Sequence, residues 1–181
     1  LMLGEGAAFL VIESAAHAAA RGAKPKGRIV GYGHTTDTHH ITQPDPTGAP
    51  LEVCIRRALD QAGLAPSDVG HINAHGTGTP FNDSAEAAAF ARVFTESPAP
   101  RLVSTKAAIG HTLGAAGTLE AVFSLLALQT RRIPPQIKTT TPIPDVAEWL
   151  AQPGEVLEKP VVLSVNLGFG GSNAALLLAA A

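Results

Sequence analysis

Val69-Gly70-His71-Ile72-Asn73-Ala74-His75-Gly76-Thr77-Gly78-Thr79-Pro80 is the stretch on which the fold reading turns. Val69 to Ala74 predicts a short strand, ending in a glycine- and threonine-rich run that must leave the sheet. Beyond Pro80, Asp83 precedes Glu86 at the spacing of a capping box, which predicts a helix from Ser84 to Phe94. Strand, loop and helix in that order make one step of a layered α/β unit. Upstream, Leu51, Cys54, Ile55, Ala58, Leu59 and Ala62 recur at helical spacing, and Gly63 stands at the carboxy-terminal cap. Downstream, Arg101 to Thr105 predicts another strand. Thr118 to Thr130 is apolar on nearly every side, which predicts a buried helix.

The two ends extend the pattern. Ala7, Phe9, Val11 and Ala8, Leu10, Ile12 are all apolar, so Leu1 to Ile12 reads as a strand buried on both faces. Glu13 to Arg21 predicts a helix stopped by Gly22, and Arg28 to Gly33 a strand. Thr35 to Pro50 is a polar loop long enough to carry function. After a short helix near Val146 to Leu150, strands at Pro160 to Asn166 and Ala174 to Ala179 flank Gly168-Phe169-Gly170-Gly171-Ser172-Asn173. So short a joint favours an antiparallel pair.

Composition sets the outer limits. At 181 residues and 45% hydrophobic, the chain can bury one proper core and is too apolar for disorder. Only 15% of its residues are charged, against about 25% in an average soluble domain. The expectation is that other protein covers part of its surface, or that it is a piece of a larger body. Its opening at Leu1-Met2 inside an apolar run points the same way, to a processed chain or a fragment. A net charge of −2 with no basic tract disfavours nucleic-acid binding. The single Cys54 excludes an internal disulfide framework, and on the apolar stripe of its helix it reads as a core residue. No uninterrupted apolar run reaches the ~20 residues of a bilayer span, and no basic leader precedes the first strand. The expected setting is cytoplasmic, without a membrane.

Three features occupy strand ends or glycine-rich loops, where function is commonly mounted. They are Asn73 to Pro80, Ser104-Thr105-Lys106-Ala107-Ala108-Ile109-Gly110-His111, and the Gly168 to Asn173 turn. Each alone has a plain structural reading: a satisfied histidine, a solvated lysine, a bulged hairpin. Nucleotide motifs fail, because no Gly-Lys-Ser/Thr ending follows Gly76 and the Gly168 turn leads into a strand. His39, His40, His75 and His111 match no compact zinc spacing, so no metal is expected. Together the features suit oxyanion chemistry. Neutral imidazole N–H groups can donate to an enolate oxygen, a lysine can orient a ring, and glycine amides can hold a second oxyanion. A nucleophile beside a base is missing.

These motifs, in this order and spacing, resemble the carboxy-terminal half of a β-ketoacyl-acyl carrier protein synthase. The likeness runs from Gly4-Glu5-Gly6-Ala7 through the Asp37 to Pro44 loop, Asn73 to Thr79 with Asp83 and Glu86, and Thr105-Lys106 to Gly110-His111. It continues through Gly114-Ala115-Ala116-Gly117 and Pro134-Pro135 to Gly168 to Asn173. It implies an α/β, thiolase-like α-β-α-β-α layered fold built from two similar halves. Residues 1–24 would end the amino-terminal half and residues 25–181 would form the carboxy-terminal one. The nucleophilic cysteine would come from an amino-terminal portion or a partner chain.

By this resemblance, His75 and His111 are the catalytic histidines that hold the malonyl thioester and its enolate. Lys106 orders the His111 side and interacts with Glu86 or Glu120. Phe169 lends its backbone N–H to the acyl oxyanion hole and gates the acyl pocket, with the Asp37 to Pro44 loop as its mobile partner. Thr77 and Thr79 bind the phosphopantetheine arm of acyl carrier protein; no other cofactor is implied. The implied reaction is a decarboxylative Claisen condensation in fatty-acid or polyketide biosynthesis, within a homo- or heterodimer. Gly78 stands where many relatives have Ser, and Leu167 where a second Phe is common. Two other readings stay open: a non-catalytic chain-length-factor type of subunit that shapes a partner's pocket, and a metal-dependent hydrolase. The complete set of His75, Lys106 and His111 speaks against the former, since a scaffold has no chemical need of all three.

Overall fold

Hydrophobic side chains alternate between two faces of one mixed sheet, and helices cover both. In the computed structural model, which describes residues 1–96 and 98–181, the strands are β1 (Arg28–Thr36), β2 (His71–Asn73), β3 (Arg101–Val103), β4 (Val161–Gly168) and β5 (Ser172–Ala179). Their order across the sheet is β1-β5-β4-β2-β3. β1, β5 and β4 run antiparallel, whereas β4, β2 and β3 are parallel. The helices are α1 (Ala15–Ala20), α2 (Ala49–Ala62), α3 (Pro80–Val93), α4 (Lys106–Ile109) and α5 (Ala116–Thr130).

α2 and α3 cover one face, where Leu51, Ile55 and Phe90 meet Leu163, Val165 and Leu177. α5 covers the other through Ala121 and Leu128 against Val162 and Leu178. Adjacent strand residues thus feed opposite cores, which is why β4 is buried at every position from Val161 to Val165. Each large side chain buried this way contributes about 1.5–3 kcal/mol. α2 follows its predicted stripe and ends at Gly63, whose φ of 63° permits the left-handed cap. The close approach of α2 to β1 depends on Gly33, where a Cβ would lie 1.9 Å from the Cys54 carbonyl oxygen.

Several expectations change. The helix after β2 begins at Pro80 with Thr79 as its N-cap, one turn earlier than the capping-box reading placed it. Proline pre-sets the first helical φ, so Asp83 lies within the first turn and accepts from the Gly78 N–H at 3.2 Å. Leu1 to Ile12 joins no strand ladder. Only Leu3 bridges to His111, and Phe9, Val11 and Ile12 are exposed. An extended segment needs a neighbouring strand and two covering layers to be buried, and the described residues of this chain supply neither. α5 is buried along Ala116, Glu120, Ala121, Ser124, Ala127 and Leu128, while Leu126 is exposed; its apolar circumference exceeds what one sheet can cover. Leu113–Thr130 is long and apolar enough to cross a membrane by length and composition. In the fold, however, Glu120 and Ser124 face inward, and Glu120 is ion-paired there.

Candidate active site

β2 stops at Asn73, and the chain bends through His75 and Gly76, the latter at a φ of 45°. Glu86, buried in α3, holds this bend: Oε1 accepts from the His75 N–H at 2.7 Å and Oε2 from the Gly76 N–H at 2.6 Å. Asn82, one helical turn earlier, donates to the same Oε2 at 2.6 Å. Burial pushes the Glu86 carboxyl up to about 7, against the pull of these N–H donors. Ser104, just past β3, donates to the Gly76 carbonyl at 2.7 Å and fixes the far side of the bend.

Lys106 opens α4, and its Nζ lies 3.2 Å from His75 Nδ1. The same ammonium pairs with Glu120 of α5, the two side chains only 5% and 2% exposed. The sequence reading had Lys106 serving the His111 side and left its partner open between two glutamates. The structure puts the lysine against His75 and pairs it with Glu120, because α5 delivers that carboxylate from the sheet face opposite α3. His111 follows α4, and its ring meets His75 edge-to-face with centroids 5.2 Å apart. Its Nδ1 accepts from the Leu113 N–H at 3.1 Å, with Leu113 in the left-handed region at φ 52°.

These partners assign both tautomers. An ammonium and a backbone amide can only donate, so Nδ1 of each ring is the acceptor and Nε2 carries the proton. Burial pulls His75 down to about 3, with Lys106 and His111 adding repulsion. His111 is lowered for the same reasons, burial first. Two neutral rings with free Nε2–H donors can stabilise an oxyanion without giving up a proton to it.

A cavity of about 400 Å³ opens beside this group, lined by Thr77, Glu86, Lys106 and His111 at one side and by Phe90 and Ile143 at another. Thr77 and Thr79 share a hydroxyl hydrogen bond of 2.8 Å. Phe169 stands apart, 82% exposed at the tip of the β4–β5 turn and outside the cavity lining. The loop after β1 does reach that turn: Asp37 N–H donates to the Gly171 carbonyl at 2.6 Å and Gly170 N–H to the Ile41 carbonyl at 2.7 Å. Cys54 is no nucleophile here. It is fully buried in α2, and desolvation pushes its thiol up to about 11. Among the described residues, no three of the His, Cys, Asp and Glu side chains converge as metal ligands.

Sequence reasoning missed Asn82 and Leu113, and gave Ser104 no role of its own. Asn82 had a usable signal, since it lies four residues before Glu86 on one helix. Leu113 had none, because a backbone donor leaves no local pattern.

Residues 26–140 match the family described as "Beta-ketoacyl synthase, C-terminal domain". The chain is 43% identical over 178 residues to 3-oxoacyl-[acyl-carrier-protein] synthase 2 of Staphylococcus aureus, covering 97% of this chain and 44% of that protein. It is 41% identical over 184 residues to the mitochondrial 3-oxoacyl-[acyl-carrier-protein] synthase of Arabidopsis thaliana, covering 98% of this chain and 40% of that one. The chain thus spans under half the length of these curated relatives. Among solved structures, the ishigamide ketosynthase/chain length factor superposes with a TM-score of 0.91 at 37% identity, over 99% of this chain and 44% of that one. A type II PKS acyl-carrier protein in complex with its ketosynthase bound to the hexaketide gives 0.85 at 32% identity, over 93% and 42%.

Proposed function

This chain belongs to the β-ketoacyl synthase family, and from that membership we propose that it is the decarboxylating half of a 3-oxoacyl-carrier protein synthase. Its helix-sheet-helix layering is half of the thiolase-like fold. Residues 25–181 form the carboxy-terminal half in this reading, and residues 1–24 close the amino-terminal one. The exposed Phe9, Val11 and Ile12 offer apolar surface for the remainder to cover.

The observation that carries the reading is the pair of neutral imidazoles, each held at Nδ1 by a donor. A malonyl thioester on the phosphopantetheine arm of acyl carrier protein would place its carbonyl oxygen between the two Nε2–H groups. Loss of CO2 leaves the bond's electron pair on the enolate, whose oxygen both rings stabilise. The enolate carbon then attacks the acyl thioester on a cysteine from the rest of the enzyme, and that thiolate leaves. Lys106 and Glu120 are positioning residues, Thr77 and Thr79 receive the phosphopantetheine arm, and Phe169 serves the acyl oxyanion. The proposed location is the cytoplasm, and the proposed assembly is a homo- or heterodimer that docks acyl carrier protein. A non-catalytic chain-length-factor role is disfavoured by the intact His75–Lys106–Glu120 network.

The test is a His75→Ala, His111→Ala double variant in the assembled enzyme. Condensation and malonyl decarboxylation should vanish while acylation of the partner cysteine persists, read by intact mass. Undiminished condensation would overturn the proposal.

A further inference from the structure

Three observations converge on Asn166, which the mechanism above does not use. The first is register. β2 and β4 pair in parallel with Ile72 opposite Leu163 and Asn73 opposite Ser164. Continued two residues, that register sets Asn166 beside His75, on the face of the sheet that carries Asn73 and Ser164. The second is space. Gly117 of α5 has no side chain, and a Cβ there would already touch the Asn166 amide, with its nitrogen at 3.5 Å and its oxygen at 3.6 Å. Glu120 lies three residues further along the same helix, on the same flank. The third is an unpaired atom. Glu120 Oε1 pairs with Lys106, but Oε2 is buried and has no partner among the described residues. A buried carboxylate oxygen without a donor costs free energy, so it marks where a donor belongs.

We propose that Asn166 is a positioning residue of the decarboxylation site, its amide packed beside His75 with Nδ2 donating to the Glu120 carboxylate. This rests on the ketosynthase reading of the same site. The amide holds Glu120 ionised, Glu120 holds the Lys106 ammonium, and Lys106 holds His75 in its Nε2–H tautomer. The groups that act on the Glu120 carboxyl are Lys106 from α4 and the neutral Asn166 from β4. Burial raises the Glu120 carboxyl, while Lys106 and Asn166 both draw it down. Removal of the amide therefore raises it further, so Glu120 takes up its proton at a higher pH.

The experiment is made on the assembled enzyme with Asn166→Leu, Asn166→Asp and Asn166→Ser. Malonyl-carrier decarboxylation is followed against pH, and imidazole 15N shifts of His75 report its tautomer. Asn166→Leu should lower kcat about tenfold with KM little changed, and move the acid limb of the profile to higher pH. Asn166→Asp keeps the shape but sets a second carboxylate beside Glu120, and should move the acid limb at least as far. Asn166→Ser keeps a donor and should restore part of the rate. An acid limb and a His75 tautomer unmoved in both Asn166→Leu and Asn166→Asp overturn the proposal; the Asp and Ser variants settle it if the Leu variant does not fold. If the unaltered enzyme fails to decarboxylate malonyl-carrier protein, the functional reading falls. The 15N shifts then still decide whether Asn166 sets the tautomer.

Discussion

Lys106→Met is the most informative single perturbation of the site. An exposed ion pair is worth about 0–1 kcal/mol, but this pair is 5% and 2% exposed. Removing one partner of a buried pair costs about 3–5 kcal/mol, because the survivor is left charged and unsolvated. Among the described residues Lys106 is the cation paired with Glu120. Glu120 will instead take up a proton, a step that burial already favours, and this places the expected loss near the lower end, about 3 kcal/mol. For a unit of this size, that corresponds to a fall of roughly 6–12 °C in Tm. Urea unfolding of the assembled enzyme should be measured for Lys106→Met, Glu120→Leu and the double variant. The double variant, with no unpaired charge left, should be more stable than the two losses summed, by more than about 1 kcal/mol. Strictly additive losses below about 1 kcal/mol each would refute the argument that burial makes this pair interdependent.

Two further outcomes follow from burial. His71 donates its Nδ1–H to the Arg101 carbonyl at 2.9 Å, and burial pulls its pKa down from 6.5 to about 4. The unfolded chain therefore binds the proton first as pH falls. Stability should drop between pH 6.5 and 4, at about 1.4 kcal/mol per unit. His71→Gln, followed by urea unfolding across that range, should flatten the slope, and an unchanged slope counts against the assignment. Cys54, with its thiol at about 11 and no exposure, should resist iodoacetamide at pH 8 until the protein is unfolded. Native labelling, read by intact mass, would contradict its placement in the core.

The elements that sequence reading located best are those whose signal is local and repeated. The α2 stripe with Gly63 at its end and the β4–β5 hairpin around the glycine turn appear nearly as expected. Each is specified by side-chain period and by glycine's freedom at positive φ, both written within one segment. The helix after β2 was found but misplaced by a turn, because the Asp83–Glu86 spacing mimics a capping box. Glu86 in fact caps the backbone of the preceding bend, at His75 and Gly76. Leu1 to Ile12 was misread for a different reason. Apolar composition states what a segment would bury, not whether a neighbour is present to cover it.

Residue types and their order along the chain determined the α/β class, the helix-sheet alternation and the short list His75, Lys106, His111, Glu86 and Glu120. Which of these touch was decided only in three dimensions. Lys106 and Glu120 are fourteen residues apart, and His75 and Lys106 thirty-one. Parallel pairing of β2 with β3 and β4 brings loops from three strand ends to one edge of the sheet, and α5 crosses beneath them. That arrangement gives Lys106 to His75 rather than to His111. Hydrogen bonds and ion pairs act over about 3 Å, a length that spacing along a chain does not measure and that strand register does.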